Sequence, residues 1–127
     1  CKGLQVFVLP NLYGDIVTDI AAELQGGLGT ASSANIGSRY AMFEAIHGTA
    51  PGLVSEGRGE YADPCSLIRA VGMLLAHIGY GEKSRQLSKA LIQCTVTERK
   101  KVVTTYTKDA SAAEFTDYLL ETLARQA

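Results

Sequence analysis

Between Leu4 and Leu24 the chain passes from an apolar run to a segment of helical period, and the change falls at Pro10. Leu4, Val6, Phe7, Val8 and Leu9, with β-branched and aromatic members, predict a buried strand that stops at the proline. Asn11 and Gly14 have turn character, and Ile16, Ile20 and Leu24 at i, i+4 and i+8 predict a helix from Asp15 onward. Side chains four apart share a helix face, so Asp15 and Asp19 converge directly after a strand. A hard divalent cation such as Mg²⁺ or Mn²⁺ needs one or two protein carboxylates, with water and substrate oxygens completing its shell. The pair is therefore a candidate metal half-site. The competing interpretation has Asp15 complementing the helix dipole and Asp19 merely solvated.

Length and composition exclude several classes without selecting one. The chain has 127 residues, one domain's worth, and at 46% hydrophobic residues it can build a core. Twelve basic residues against 13 acidic ones imply no nucleic-acid-binding face. No apolar stretch reaches the roughly 18 residues of a membrane span, and no signal peptide is visible, so no membrane partner is expected. Cys1, Cys65 and Cys94 are odd in number and widely spaced, which predicts buried small residues in a reducing compartment rather than a disulfide framework or nucleophiles.

Further along, the stretch from Gly26 to Ser38 is rich in Gly, Ala and Ser and predicts a loop whose glycines admit a ligand close to the backbone; Gly26 also suits a helix C-cap. Tyr40 to Ala45 predicts a second strand delivering Glu44 and His47 to an edge, followed by a long loop from His47 to Asp63. Asp63-Pro64 is the signature of an N-cap with proline at the first helical position, and Leu67, Val71, Leu74, Leu75 and Ile78 predict a core-facing stripe. Met73 lies near this stripe, and His77 is expected to be a helix-end residue. A third helix over about 82–97 turns Leu87, Leu91 and Cys94 inward, and Glu98-Arg99-Lys100-Lys101 is expected to be a solvated turn. Val102 to Tyr106 has strand propensity. Ser111 and Glu114 form a capping box that opens a final helix on Phe115, Leu119 and Leu123. The whole is α/β.

The segments Asn11-Leu12-Tyr13-Gly14-Asp15-Ile16-x-x-Asp19, Gly26-Gly27-Leu28-Gly29, Ala34-Asn35-Ile36-Gly37 and Phe43-Glu44-Ala45-x-His47-Gly48-Thr49-Ala50-Pro51, in this order, resemble the β-decarboxylating dehydrogenases. This is the family of isocitrate, isopropylmalate, homoisocitrate and tartrate dehydrogenases. The resemblance is strong from Leu4 to Asp63 and looser beyond. It implies the C-terminal part of the isopropylmalate dehydrogenase-like fold, not a Rossmann fold; no Gly-x-Gly-x-x-Gly joins a strand to a helix here. It also implies oxidation of a 2-hydroxy acid carrying a C3 carboxylate, by hydride transfer to a nicotinamide, with loss of CO₂.

The residue roles that the resemblance implies are specific. Asp15 and Asp19 would bind Mg²⁺ or Mn²⁺, with Asn11 and Tyr13 in the same turn. His47, Gly48, Thr49 and Ala50 would hold the adenosine part of the cofactor, Glu44 would lie near the nicotinamide, and Asp63 would stand where the family commonly has an adenine-contacting Asn. After Pro51 the chain has Gly52-Leu53, neither the Asp of many NAD-dependent members nor the Lys-Tyr of some NADP-dependent ones. That leans toward NAD, while Lys108 beside Asp109 keeps NADP open.

The general acid and base, a Lys and a Tyr, and the substrate arginines belong upstream of this region in the family. Since the chain opens at Cys1-Lys2 without Met, residues 1–127 are expected to be the C-terminal metal- and cofactor-binding portion of a larger dehydrogenase, with no catalytic residue of their own and no activity alone. The implied partners are a small 2-hydroxy acid, isocitrate being favoured by Ala45 and Thr49, and a second subunit in a homodimer or hetero-oligomer. The implied location is the cytoplasm, or the mitochondrial matrix in a eukaryote. A non-catalytic regulatory subunit is the main alternative, and an independent Mg²⁺-binding module is disfavoured.

Overall fold

The computed structural model describes residues 3, 6–25, 27–104 and 109–126. Helix α1 (Asn11–Gln25) leads through a 3₁₀ turn (Leu28–Thr30) into a hairpin of β1 (Ser32–Ile36) and β2 (Ala41–Ala45). A short helix α2 (Pro51–Ser55) and a second 3₁₀ turn (Gly59–Tyr61) precede α3 (Cys65–His77) and α4 (Gly81–Ile92). The α4 helix runs on as a π-helical segment (Gln93–Glu98), and α5 (Ala112–Gln126) closes the order.

The expected first strand does not form among the described residues. Val6 to Pro10 have no regular structure and lie exposed, Val8 at 91%; Leu4 falls outside the described residues. An extended run becomes a strand only beside another that takes its backbone hydrogen bonds, and the described sheet contains β1 and β2 alone. Helix α1 starts at Asn11, four residues earlier than its apolar period suggests, because the Gly14 N–H donates to the Pro10 carbonyl at 2.8 Å. Asn11 and Gly14 are thus helical rather than turn residues. The face bearing Ile16, Ile20 and Leu24 is exposed, while Ala22 is buried.

The stretch expected to be a loop from Gly26 onward contains β1. Its Ser, Ala and Asn residues have weak strand preference, so pairing decides: Ser32 stands opposite Ala45 and Ile36 opposite Ala41. Helix α3 then anchors the hairpin, since Ser66 Oγ donates to the Ala31 carbonyl and Ser32 Oγ to Met73 Sδ. The inward Phe43 ring meets the His77 imidazole at 5.3 Å, at the last residue of α3 as expected. The segment expected to be one long loop from His47 to Asp63 is also interrupted, by α2 and the second 3₁₀ turn.

The N-cap of α3 is Pro64, one residue later than expected, and Asp63 serves the helix start from just outside it: its Oδ1 accepts a hydrogen bond from the Cys65 N–H at 2.9 Å. The stripe of α3 is a correction. Leu67, Val71, Leu74 and Ile78 are exposed and Leu75 is half-buried, while Cys65, Ser66, Ala70 and Gly72 face inward. Small residues let α3 sit close to its neighbours: a Cβ at Gly72 would lie 3.9 Å from Ser84 Oγ and 4.0 Å from Leu87 Cδ2. Periodicity locates an apolar stripe but not the element that covers it.

The core lies between α3, α4 and α5, where Cys65, Ala90, Leu91, Cys94, Phe115, Tyr118 and Leu119 are buried together and Leu87 and Leu123 pack against them. Burying such side chains is worth about 1.5 to 3 kcal/mol each as an upper figure. Cys65 and Cys94 are free thiols, and burial followed by the hydrogen bond with Asp63 pushes the Cys65 thiol upward, away from nucleophilic use. Cys1 lies outside the described residues. The expected capping box of α5 is present, with Ser111 N–H donating to Glu114 Oε2 at 2.9 Å and Glu114 N–H donating to Ser111 Oγ at 3.2 Å.

The charged run after α4 is more than a solvated turn. Glu98 accepts hydrogen bonds from Lys100, Tyr118 and Gln93, which hold its carboxyl down to about 2. Residues 102–104 have no regular structure, and Thr105 and Tyr106 lie outside the described residues.

These contacts set two stability outcomes. Ser111→Ala should lower unfolding free energy by about 1 kcal/mol in urea titrations. For Glu98, folding depresses the carboxyl below its ordinary value of about 4.3, so its contribution is complete above that pH and fades as pH falls toward 2. Stability measured across this window should decline, and Glu98→Gln should flatten the decline.

Candidate functional site

The turn after α1, the loop after β2, the start of α3 and the segment at Val103 and Thr104 enclose a cavity of about 750 Å³. His47, Gly48, Thr49, Ala50 and Asp63 line it together. Glu44 does not. It lies on the exposed face of β2, opposite Ser33, and accepts a hydrogen bond from Asn35 Nδ2 at 3.0 Å. Glu23, Gly27, Gly29, Thr30 and Val54 also contribute to the wall and were not singled out from the sequence, except as part of a glycine-rich loop; Leu53, of the Gly52-Leu53 pair, joins them. A signal for Glu23 existed: it follows Asp19 by four residues, so Asp15, Asp19 and Glu23 form one acidic line along α1.

Local backbone geometry explains how the walls meet. Gly27 has φ 101°, a left-handed conformation that side chains rarely adopt, and its carbonyl accepts the Thr30 hydroxyl at 2.8 Å. A Cβ on Gly29 would lie 3.2 Å from the Asp63 Cβ, so the absent side chain lets this turn seat against Asp63. Ala50 holds φ 45° and ψ 58° just before Pro51. A left-handed alanine is uncommon, and such strain gathers where a loop is shaped for a ligand. His47 Nδ1 lies 3.0 Å from the Gly48 carbonyl, which can only accept, so the neutral tautomer that fits carries its proton on Nδ1 and leaves Nε2 as an acceptor.

Asp15 and Asp19 sit one turn apart on α1, both exposed, and outside the cavity wall. Among the described residues nothing donates a side-chain hydrogen bond to either carboxylate, and no third His, Cys, Asp or Glu joins them in a metal-binding group. They form two hard oxygen donors without a completed shell. Lys108 lies outside the described residues. No helix among the described residues is long and apolar enough to cross a membrane.

The model of the isocitrate/isopropylmalate dehydrogenase family matches residues 2–119. The chain belongs to this family. Within it, the NADP isocitrate dehydrogenase of Rickettsia bellii is 43% identical over 106 residues, which are 84% of this chain and 21% of that relative. A mitochondrial regulatory subunit of the NAD isocitrate dehydrogenase of Dictyostelium discoideum is 41% identical over 119 residues, 93% of this chain and 32% of that relative. The crystal structure of isocitrate dehydrogenase from Methylococcus capsulatus superposes with a TM-score of 0.79 at 36% identity, covering 89% of this chain and 33% of that one. The chain therefore spans about a fifth to a third of the length of these relatives. Its α/β architecture is that of the isopropylmalate dehydrogenase-like fold.

The strained loop gives a direct check. Ala50→Val should destabilise by about 1 to 2 kcal/mol in denaturant titrations, since a β-branched side chain resists φ 45°, whereas Ala50→Gly should be tolerated.

Proposed function

We propose that this chain supplies the divalent-metal helix and the adenosine side of the cofactor cavity of an oxidative decarboxylase of 2-hydroxy acids, with isocitrate as substrate and NAD as hydride acceptor. The observation that carries this reading is the convergence of His47 to Ala50 and Asp63 on a cavity of about 750 Å³ that also takes in Glu23 of the α1 helix. That size suits a ligand such as adenosine.

The residues fit both implied groups. Asp15 and Asp19 offer unengaged carboxylate oxygens one helical turn apart, the donor chemistry that Mg²⁺ or Mn²⁺ prefers. When bound, the metal supplies Lewis-acid polarisation of the substrate oxygens and the nicotinamide supplies the hydride acceptor. Within the cavity His47 Nε2 can accept a hydroxyl proton, and the glycine at 48 leaves its backbone open, since a Cβ there would meet nothing within 4 Å. Asp63 Oδ1 is committed to α3, so Oδ2 remains to accept from an amino group such as that of adenine. Glu23 adds a second carboxylate to the wall, and neither Gly52 nor Leu53, directly after Pro51, is a cation. A wall of that charge suits ribose hydroxyls better than a 2′-phosphate, which supports NAD.

The rest of the machinery would come from outside residues 1–127, including the acid and base, the substrate arginines and a further metal ligand, the last from a second subunit of a homo- or hetero-oligomer. The exposed apolar segment at 6–9 and the exposed faces of α1 and α3 suit a chain that packs against more protein. Isocitrate over isopropylmalate is supported by Ala45 and Thr49 and by the isocitrate dehydrogenases among the relatives. A non-catalytic regulatory subunit is the second reading, favoured by 41% identity to the regulatory protein of Dictyostelium over most of the chain.

In the intact protein Asp15→Asn should lower kcat by about 100-fold with the circular dichroism spectrum unchanged. Wild-type turnover of that variant with Mn²⁺ present would reject the metal role. Absence of turnover in the unaltered protein, combined with an effect on the rate of a partner chain, would select the regulatory reading. The ratio of kcat/KM for NAD and NADP should favour NAD, and a strong NADP preference would contradict it.

A further inference from the structure

A second cavity, of about 520 Å³, is walled by α3, the π-helical segment after α4 and the chain at 101–103. It shares Thr30, Asp63 and Val103 with the larger cavity, so the two adjoin. Its charge is opposite in character. Arg69, Arg99 and Lys101 line it, against the single carboxylate of Asp63, one oxygen of which is already engaged with the Cys65 N–H.

Arg69 is the informative member. Its Nε is buried without a hydrogen-bond partner, and no carboxylate among the described residues forms an ion pair with its guanidinium. A desolvated donor on a permanent cation is unfavourable unless something completes it. Arg99 is likewise without a carboxylate partner among the described residues, and it is fixed at the end of the π-helical segment in a left-handed conformation, φ 50°. Both a π-helical turn and a left-handed arginine are uncommon backbone choices that gather at ligand sites. Lys101 reaches Glu114 at 3.2 Å across the surface. The hydroxyls of Thr30 and Thr95 donate to backbone carbonyls, so the donors left for a ligand belong to the cations.

We infer that this second cavity is a binding site for a dianionic phosphoryl group, held by Arg69 and Arg99 with Lys101 beside them. Guanidinium forks match phosphate oxygens with paired N–H donors, and neither guanidinium has a hydrogen-bond or ion-pair partner among the described residues. The ligand is a phosphate independent of the cofactor, since NAD carries no dianionic phosphoryl group.

The test is calorimetric titration of the intact protein, in phosphate-free buffer, with inorganic phosphate, NAD and NADP. Phosphate should bind the unaltered protein. Arg99→Ala, at an exposed position where folding is not at stake, should weaken phosphate at least tenfold while NAD binding stays unchanged. Arg69→Met should do the same and should also raise the melting temperature in phosphate-free buffer, because it removes an unpaired buried donor. Phosphate should bind alongside both NAD and NADP; competition with either nucleotide would place it in the cofactor cavity and overturn the inference. No phosphate binding by the unaltered protein, or equal binding by Arg99→Ala, overturns the inference. Retained NAD binding in that experiment would leave the cofactor reading standing by itself.

Discussion

One carboxylate organises this molecule's functional end. Asp63 accepts the first free N–H of α3, abuts the glycine at position 29 and forms part of the wall of both cavities. A helix N-terminus favours a negative charge, so the interaction is self-reinforcing in a way an amide at the same position would not be. It also divides the surroundings by charge. The larger cavity holds His47, the glycine-rich turns and Glu23; the smaller holds Arg69, Arg99 and Lys101. In the proposed cofactor role a carboxylate at this position would ask its ligand for a donor, where an amide could meet either partner of a hydrogen bond.

Helices that carry their own signals were legible from the sequence. The Asp63 bond at the start of α3, the capping box of Ser111 and Glu114, the inward positions of Leu91 and Cys94, and the face of Phe115 and Leu119 all appear where local chemistry puts them. What failed depended on partners. Val6 to Leu9 have strand composition but no neighbour among the described residues, and β1 has poor strand composition but pairs with β2 and is anchored by Ser66. The α3 leucines show the same limit, because a helix with small residues on one face and large ones on the other can bury either.

The candidate site divides in a similar way. A contiguous string from His47 to Ala50 needs only its own loop to converge, and it does so. Glu44 sits in the same string, yet alternation along β2 turns it to the exposed face with Asn35. Arg69 had no signal at all, since a lone arginine on an apolar helix looks like any snorkelling side chain until its surroundings are seen. The acidic line of Asp15, Asp19 and Glu23 is visible at helical spacing, but the motif that carries the family resemblance ends at its second member.

The central claim is that the larger cavity receives the adenosine portion of a nicotinamide cofactor. Mapping backbone amide shifts as NAD is titrated into the isotopically labelled protein tests it most directly. The account predicts saturable shifts concentrated at Gly29, His47 to Ala50 and the amides around Asp63. Shifts confined to other parts of the chain, or none at millimolar NAD, would contradict it.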